Sequence, residues 1–110
     1  MPKIIWVLVS CNTKLEAERI GKALLQTRLA ACYGIYPRIK SSYFWPPKSN
    51  RLETNKGPLL VLETLPNKYQ ATSKFIRKLH NDKVPFIGKV IIDEVNKDFY
   101  KWMSRELKNN

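Results

Sequence analysis

Two thiols and one imidazole, Cys11, Cys32 and His80, are the only soft or borderline metal donors of their kinds in 110 residues. Thiolate, imidazole and carboxylate are the groups that bind copper and zinc. Asp82, two residues past the histidine, adds a carboxylate. Which of these can meet depends on the elements that carry them. An apolar strand ending at Ser10 delivers Cys11, and a helix separates it from Cys32, which opens the next strand. A helix of about eighteen residues is ~27 Å long, which sends the two thiols to opposite ends of the subunit. A disulfide needs its α-carbons within ~7 Å, so no Cys11–Cys32 bridge within one chain is expected. His80 closes a second helix whose end returns to the side of Cys11. The expectation is an S/N/O set of Cys11, His80 and Asp82 suited to copper or zinc, with Cys32 able to join only across a subunit boundary. The blander reading makes His80 a partner of a helix C-terminus and the cysteines small buried hydrophobes.

Catalytic chemistry has little to stand on. There is no Ser-His-Asp pattern, no H-E-x-x-H pair and no clustered glycines for a phosphate loop, since the chain has four glycines in all. A histidine base would have to be His80 alone. The chain is expected not to be an enzyme and to require no cofactor, with a divalent metal, copper or zinc, as the one candidate for that place.

The positioning elements follow from pattern. Ile4 to Ser10 is an unbroken β-prone run, as in a central strand covered on both faces. Thr13 with Glu16 three residues on is a capping box, and apolar residues at helical spacing carry the helix to near Ala31. Cys32 to Trp45 is strand-like, with a bend at Gly34 or Pro37. Pro46-Pro47 removes two donors and stops pairing. "PPKSNRLETNKGP" is a polar loop, "LLVLETL" a strand, and Pro66-Asn67 opens a second helix with Asn67 as its cap. "VPFIGKVIIDEV" is the last strand. Asn96 caps a final helix with Phe99, Trp102, Met103 and Leu107 on one side. The order β-α-β-β-α-β plus a C-terminal helix is the split βαβ, ferredoxin-like α+β plan with an antiparallel sheet, in a single domain spanning 1–110.

Charge raises a competing function. Twenty Lys and Arg against nine Asp and Glu give a formal charge of +11, a field that attracts polyanions. From Leu29 to Lys48 the bases Arg38, Lys40 and Lys48 are interleaved with the rings of Tyr33, Tyr36, Tyr43, Phe44 and Trp45, as in proteins that track a phosphate backbone and stack bases. In that reading Arg38, Lys40, Lys48, Arg51 and Lys56 form an anion-binding surface for a nucleotide, nucleic acid or acidic protein. The bases are nevertheless dispersed, with no run of five or six, which disfavours nucleic acid. No apolar run approaches the ~20 residues of a membrane span, the N-terminus lacks a signal-peptide pattern, and two cysteines make no disulfide framework. A cytoplasmic location is expected.

The motifs, taken in order, resemble those of the CutA divalent-cation-tolerance family. "RLAACYGIYP" is similar to its L-A-A-C-x-x-x-x-P segment, and Ser42, Tyr43 and Trp45 match S-x-Y-x-W. Thr64 closes an apolar strand, His80, Val84, Pro85 and Ile87 fit H-P-Y-x-V-P-E-I, and Tyr100 and Trp102 fit the closing Y-x-W. The resemblance implies a homotrimer with Tyr43, Trp45, Tyr100 and Trp102 at subunit contacts, and a non-catalytic role in tolerance of copper and other divalent metals. It makes the rings glue between subunits, not a stacking surface. Three polar positions depart from the family pattern: Gly57 where a Glu is usual, Glu63 where a Lys is usual, and Phe86 where a carboxylate follows Val-Pro.

Overall fold

In the computed structural model, which describes residues 2–107, the apolar run Ile4–Ser10 is β1, one of the two inner strands of a four-stranded sheet. It pairs antiparallel with β5 (Leu59–Thr64) on one side and β6 (Ile87–Ile92) on the other, with Leu8 opposite Val61 and Gly88. β2 (Cys32–Tyr36) pairs antiparallel with β5, and the sheet order is β2-β5-β1-β6. Counting only these four strands, that is the ferredoxin-like arrangement, with the first and third strands central.

Helix α1 (Lys14–Gln26) starts at Thr13, whose hydroxyl accepts the N–H of Glu16 at 3.0 Å. It is thirteen residues long, about 20 Å, and stops well short of Ala31. Arg28 takes the left-handed conformation (φ 59°), and the N–H groups of Arg28 and Leu29 close on the carbonyls of Leu25 and Leu24. That is a Schellman closure with arginine where glycine is usual. The guanidinium is held by Glu106 at 2.9 Å. The shorter helix leaves Cys32 four register positions along the sheet from the Cys11 end, opposite Glu63, and both thiols are unpaired.

The predicted strand Cys32–Trp45 is two strands. The break falls at Pro37, not at Gly34, which sits in regular register opposite Val61. After it, β3 (Ser41–Phe44) pairs with β4 (Leu52–Asn55) in a separate hairpin, so the predicted polar loop contains a strand. Trp45 N–H donates to Arg51 C=O at 2.9 Å, and Lys48 and Asn50 supply left-handed turns at φ 63° and 57°. Pro66–Lys68 is a 3-10 turn ahead of α2 (Tyr69–Leu79), so Asn67 lies inside the turn and caps nothing. Asn96 precedes α3 (Lys97–Glu106) without a side-chain cap, its amide donating to Asp98 instead.

α1 and α2 cover one sheet face, burying Ile5, Val7, Val9, Leu60 and Leu62 against Ile20, Leu24 and Ile76. On the other face α3 covers only the Ile4 end, through Met103 and Leu107. The remainder, around Trp6, Leu8, Tyr36 and Val90, is part-exposed. The projecting hairpin stretches the molecule to 47 × 26 × 22 Å with a radius of gyration of 15.0 Å, against about 13 Å for a round domain of this length.

Candidate functional site

β1 ends at Ser10 because the next residues leave the sheet to begin α1, and Cys11 at that corner is held by its N–H on Pro58 C=O at 3.0 Å. α2 ends one residue before His80, whose N–H still closes on Ile76 C=O at 2.9 Å. The two helix-sheet junctions therefore meet. Cys11 Sγ, a His80 ring nitrogen and a Glu16 carboxylate oxygen all lie within 4.8 Å of one another, and all three residues are buried. Glu16 is the member sequence reasoning missed as a donor, having read it only as a capping residue. The signal was present in the same motif: a glutamate in the first turn of a helix that follows a central strand lies beside that strand's end.

Glu16 does not close the capping box on Thr13. Its carboxylate reaches one residue further back, accepting Asn12 N–H at 2.7 Å with one oxygen and Asn81 N–H at 2.9 Å with the other. Burial alone would push its carboxyl up, but these two backbone donors, His80 and the Asn12 side chain outweigh burial and hold it below the ordinary range. The wiring of His80 fixes its tautomer. Nε2 lies 2.7 Å from Ser10 C=O, which only accepts, so Nε2 carries the proton. Nδ1 receives Asp82 N–H at 3.0 Å, so Nδ1 presents its lone pair. A Glu16 carboxylate oxygen lies 3.5 Å from Nδ1. Burial, then the Glu16 charge, push the Cys11 thiol up to about 12, so it stays protonated at neutral pH.

The expected third donor lies elsewhere. Asp82 takes part through its backbone, while its carboxylate accepts Asn12 Nδ2 at 2.9 Å. Asn12 also accepts Asn55 Nδ2 at 3.0 Å, which ties the hairpin to this corner. Cys32 is remote from the cluster, its thiol raised by burial and by Glu63.

Between the hairpin and the corner lies a cleft of about 410 Å³. Its charged lining is Arg38, Lys83 and Asp82, and its rings are Tyr43, Trp45 and Phe86. Of the five bases predicted to bind an anion, only Arg38 lines this cleft. Lys40, Lys48, Arg51 and Lys56 are exposed, and Arg51 pairs with Glu53 at 3.4 Å. Tyr43 and Trp45 each remain 42% exposed on the single chain. Tyr100 packs against the Met103 cluster, and the Trp102 ring lies tilted at 42° to that of Phe99 with centroids 5.4 Å apart.

The unusual positions have local uses. At Gly57 a Cβ would lie 1.9 Å from Cys11 C=O, so no side chain fits this backbone path. Glu63 accepts Trp6 Nε1–H at 2.9 Å. Phe86 lines the cleft.

A sequence model of the family described as CutA1 divalent ion tolerance protein matches residues 5–106. A divalent-cation tolerance protein CutA of Pyrococcus horikoshii is 33% identical over 93 residues, covering 84% of this chain and 87% of that protein. A CutA homolog of Xenopus laevis is 30% identical over 95 residues, 86% of this chain, and the match spans 61% of its length. Among solved structures, CutA1 of Ehrlichia chaffeensis superposes with a TM-score of 0.90 at 25% identity over 99% of both chains. A CutA of Archaeoglobus fulgidus described as periplasmic gives 0.88 at 27% identity, over 96% of this chain and 99% of that one. A rice relative is described as chloroplastic. Among the described residues no helix is long and apolar enough to cross a membrane. On its motifs, its strand order and these matches, the chain belongs to the CutA1 divalent ion tolerance family.

Proposed function

We propose that the protein is an oligomeric, non-catalytic divalent-cation tolerance protein whose metal-responsive donors are Cys11, Glu16 and His80. The observation that carries this is the convergence of a thiol, an imidazole and a carboxylate within 4.8 Å at one buried corner. The donor types suit copper or zinc, and a bound ion would supply charge that lowers the thiol. Asp82, the carboxylate expected from sequence, acts here as a gatekeeper, since its N–H occupies the Nδ1 lone pair. Binding through Nδ1 must release that hydrogen bond. Calorimetry with Cu(II) tests the reading: Cys11→Ser and His80→Ala are expected to weaken binding at least about tenfold, and the Asp82 amide resonance to shift on titration. Unchanged affinity in both variants would sink it.

Assembly as a trimer is part of the same proposal. Strand β1 reads as covered on both faces, yet this chain covers its second face only at the Ile4 end. Further copies supply the missing cover, with Tyr43, Trp45, Tyr100 and Trp102 at the contacts, joined by Phe44 and Leu52 on the other side of the hairpin. A cytoplasmic location accords with two unpaired thiols.

A further inference from the structure

The cleft beside the donor corner is lined by chemistry that the metal reading does not use. Its volume, about 410 Å³, lies within the range of small-molecule sites. Two cations line it against one acid, and that acid's carboxylate already accepts an amide from Asn12. Arg38 is fixed in place: Nε donates to Gly57 C=O at 2.7 Å and Nη1 to Ser10 Oγ at 3.2 Å. Neither acceptor is charged, and among the described residues no carboxylate pairs with this guanidinium or with Lys83. A guanidinium oriented by neutral acceptors keeps its remaining N–H edge pre-organised for a carboxylate or phosphate. Gly57 makes this possible. Its backbone lies against Cys11 C=O, where any Cβ would collide, and that close approach presents its carbonyl to Arg38. Among the neutral lining, which includes Ser41, Asn55 and Asn81, three side chains are aromatic: Tyr43 and Trp45 at the hairpin, and Phe86. An inorganic ion would leave those rings idle, and a neutral ring would leave the two cations unmatched.

We propose that this cleft binds a small organic anion carrying a planar ring, its carboxylate or phosphate held by Arg38 and Lys83 and its ring by Tyr43, Trp45 and Phe86. Every lining residue named comes from one protomer, Tyr43 and Trp45 also stand at the proposed subunit contact so that the ligand's ring lies where that contact begins, and the site needs no metal.

The test titrates the assembled protein in EDTA with four probes: phenyl phosphate, benzoate, phenol and inorganic phosphate. Binding is followed by the indole N–H resonance of Trp45. Saturable binding is expected for phenyl phosphate, benzoate or both, with phenol and inorganic phosphate at least about tenfold weaker, as loss of one charge-assisted contact or one ring contact implies. The tighter of the first two identifies the anionic group. Lys83→Ala, at an exposed position where folding is not at stake, and Arg38→Gln are each expected to weaken the better probe about tenfold; if Arg38→Gln does not fold, Phe86→Ala replaces it. The proposal is overturned by no saturation with either ring-bearing anion at millimolar concentration. It is equally overturned if inorganic phosphate binds as tightly as phenyl phosphate, an adventitious ion only, or if the variants leave affinity unchanged. Because metal is excluded and the size of the assembly is measured separately, failure here is distinct from failure of the tolerance reading.

Discussion

His80 donates from one ring nitrogen and accepts at the other, and both partners are backbone groups. A residue wired this way joins the end of β1 to the segment after α2 whatever else it does. Glu16 performs the same service with charge, bridging Asn12 and Asn81. Its carboxyl is held low, so its contribution to stability is present above the unfolded carboxylate range and is lost as pH falls through the folded value. Urea unfolding should therefore show a midpoint that drops below about pH 4.5, and Glu16→Gln should flatten that limb. At neutral pH the same variant should cost about 2–4 kcal/mol, because an amide cannot accept two N–H groups as well as a carboxylate does. The thiols follow from burial. Cys11 is 1% exposed with its thiol near 12, so it should resist a disulfide reagent at pH 7.5 until the protein unfolds, while the half-buried Cys32 reacts first. Mass spectrometry after timed quenching distinguishes them; prompt labelling of Cys11 would contradict the packing. The meeting of Cys11 with His80 was legible in the sequence because element order alone sends both to one end. The choice of Glu16 over Asp82 was not, because it depends on which of two nearby carboxylates turns inward toward two backbone N–H groups.

At the scale of elements, the β3–β4 hairpin depends on a few polar ties. Asn55 reaches Asn12 and also accepts the Gly57 N–H at 2.6 Å, while Arg38 grips the Gly57 carbonyl. Gly57→Ala should force the hairpin base away from Cys11, with a loss of about 2 kcal/mol or more from the strained contact. The drop in melting temperature, together with faster amide exchange at Asn55 and Cys11, measures it. The hairpin was only half legible. "SSYF" has the residues of a strand, but "LETN" holds one apolar side chain in four and pairs through its partner's register, not its own propensity. The end of α1 was missed for a related reason: Ala30 and Ala31 continue the helical spacing, while Arg28 adopts a conformation whose usual marker is glycine. The four-strand sheet and its two covering helices were plain, since each rests on a long apolar run or a strong helical period.

The whole molecule presents an unevenly covered sheet. Val90 is 44% exposed on the face that α3 leaves open, beside Trp6 in the register. If copies pack there, Val90→Glu should weaken assembly by at least about 2 kcal/mol per contact while the protomer stays folded. Light scattering with circular dichroism reads both, and an unchanged assembly would move the contact elsewhere. The sequence announced the need for cover through the unbroken apolar run of β1, but what supplies it is not a local property and left no local mark. One consequence of the proposed assembly follows from the +11 formal charge of the chain. Bodies of like sign must be crowded together to hide that face, so added electrolyte should tighten the assembly by shielding mutual repulsion. A grip on a polyanion would loosen under the same titration.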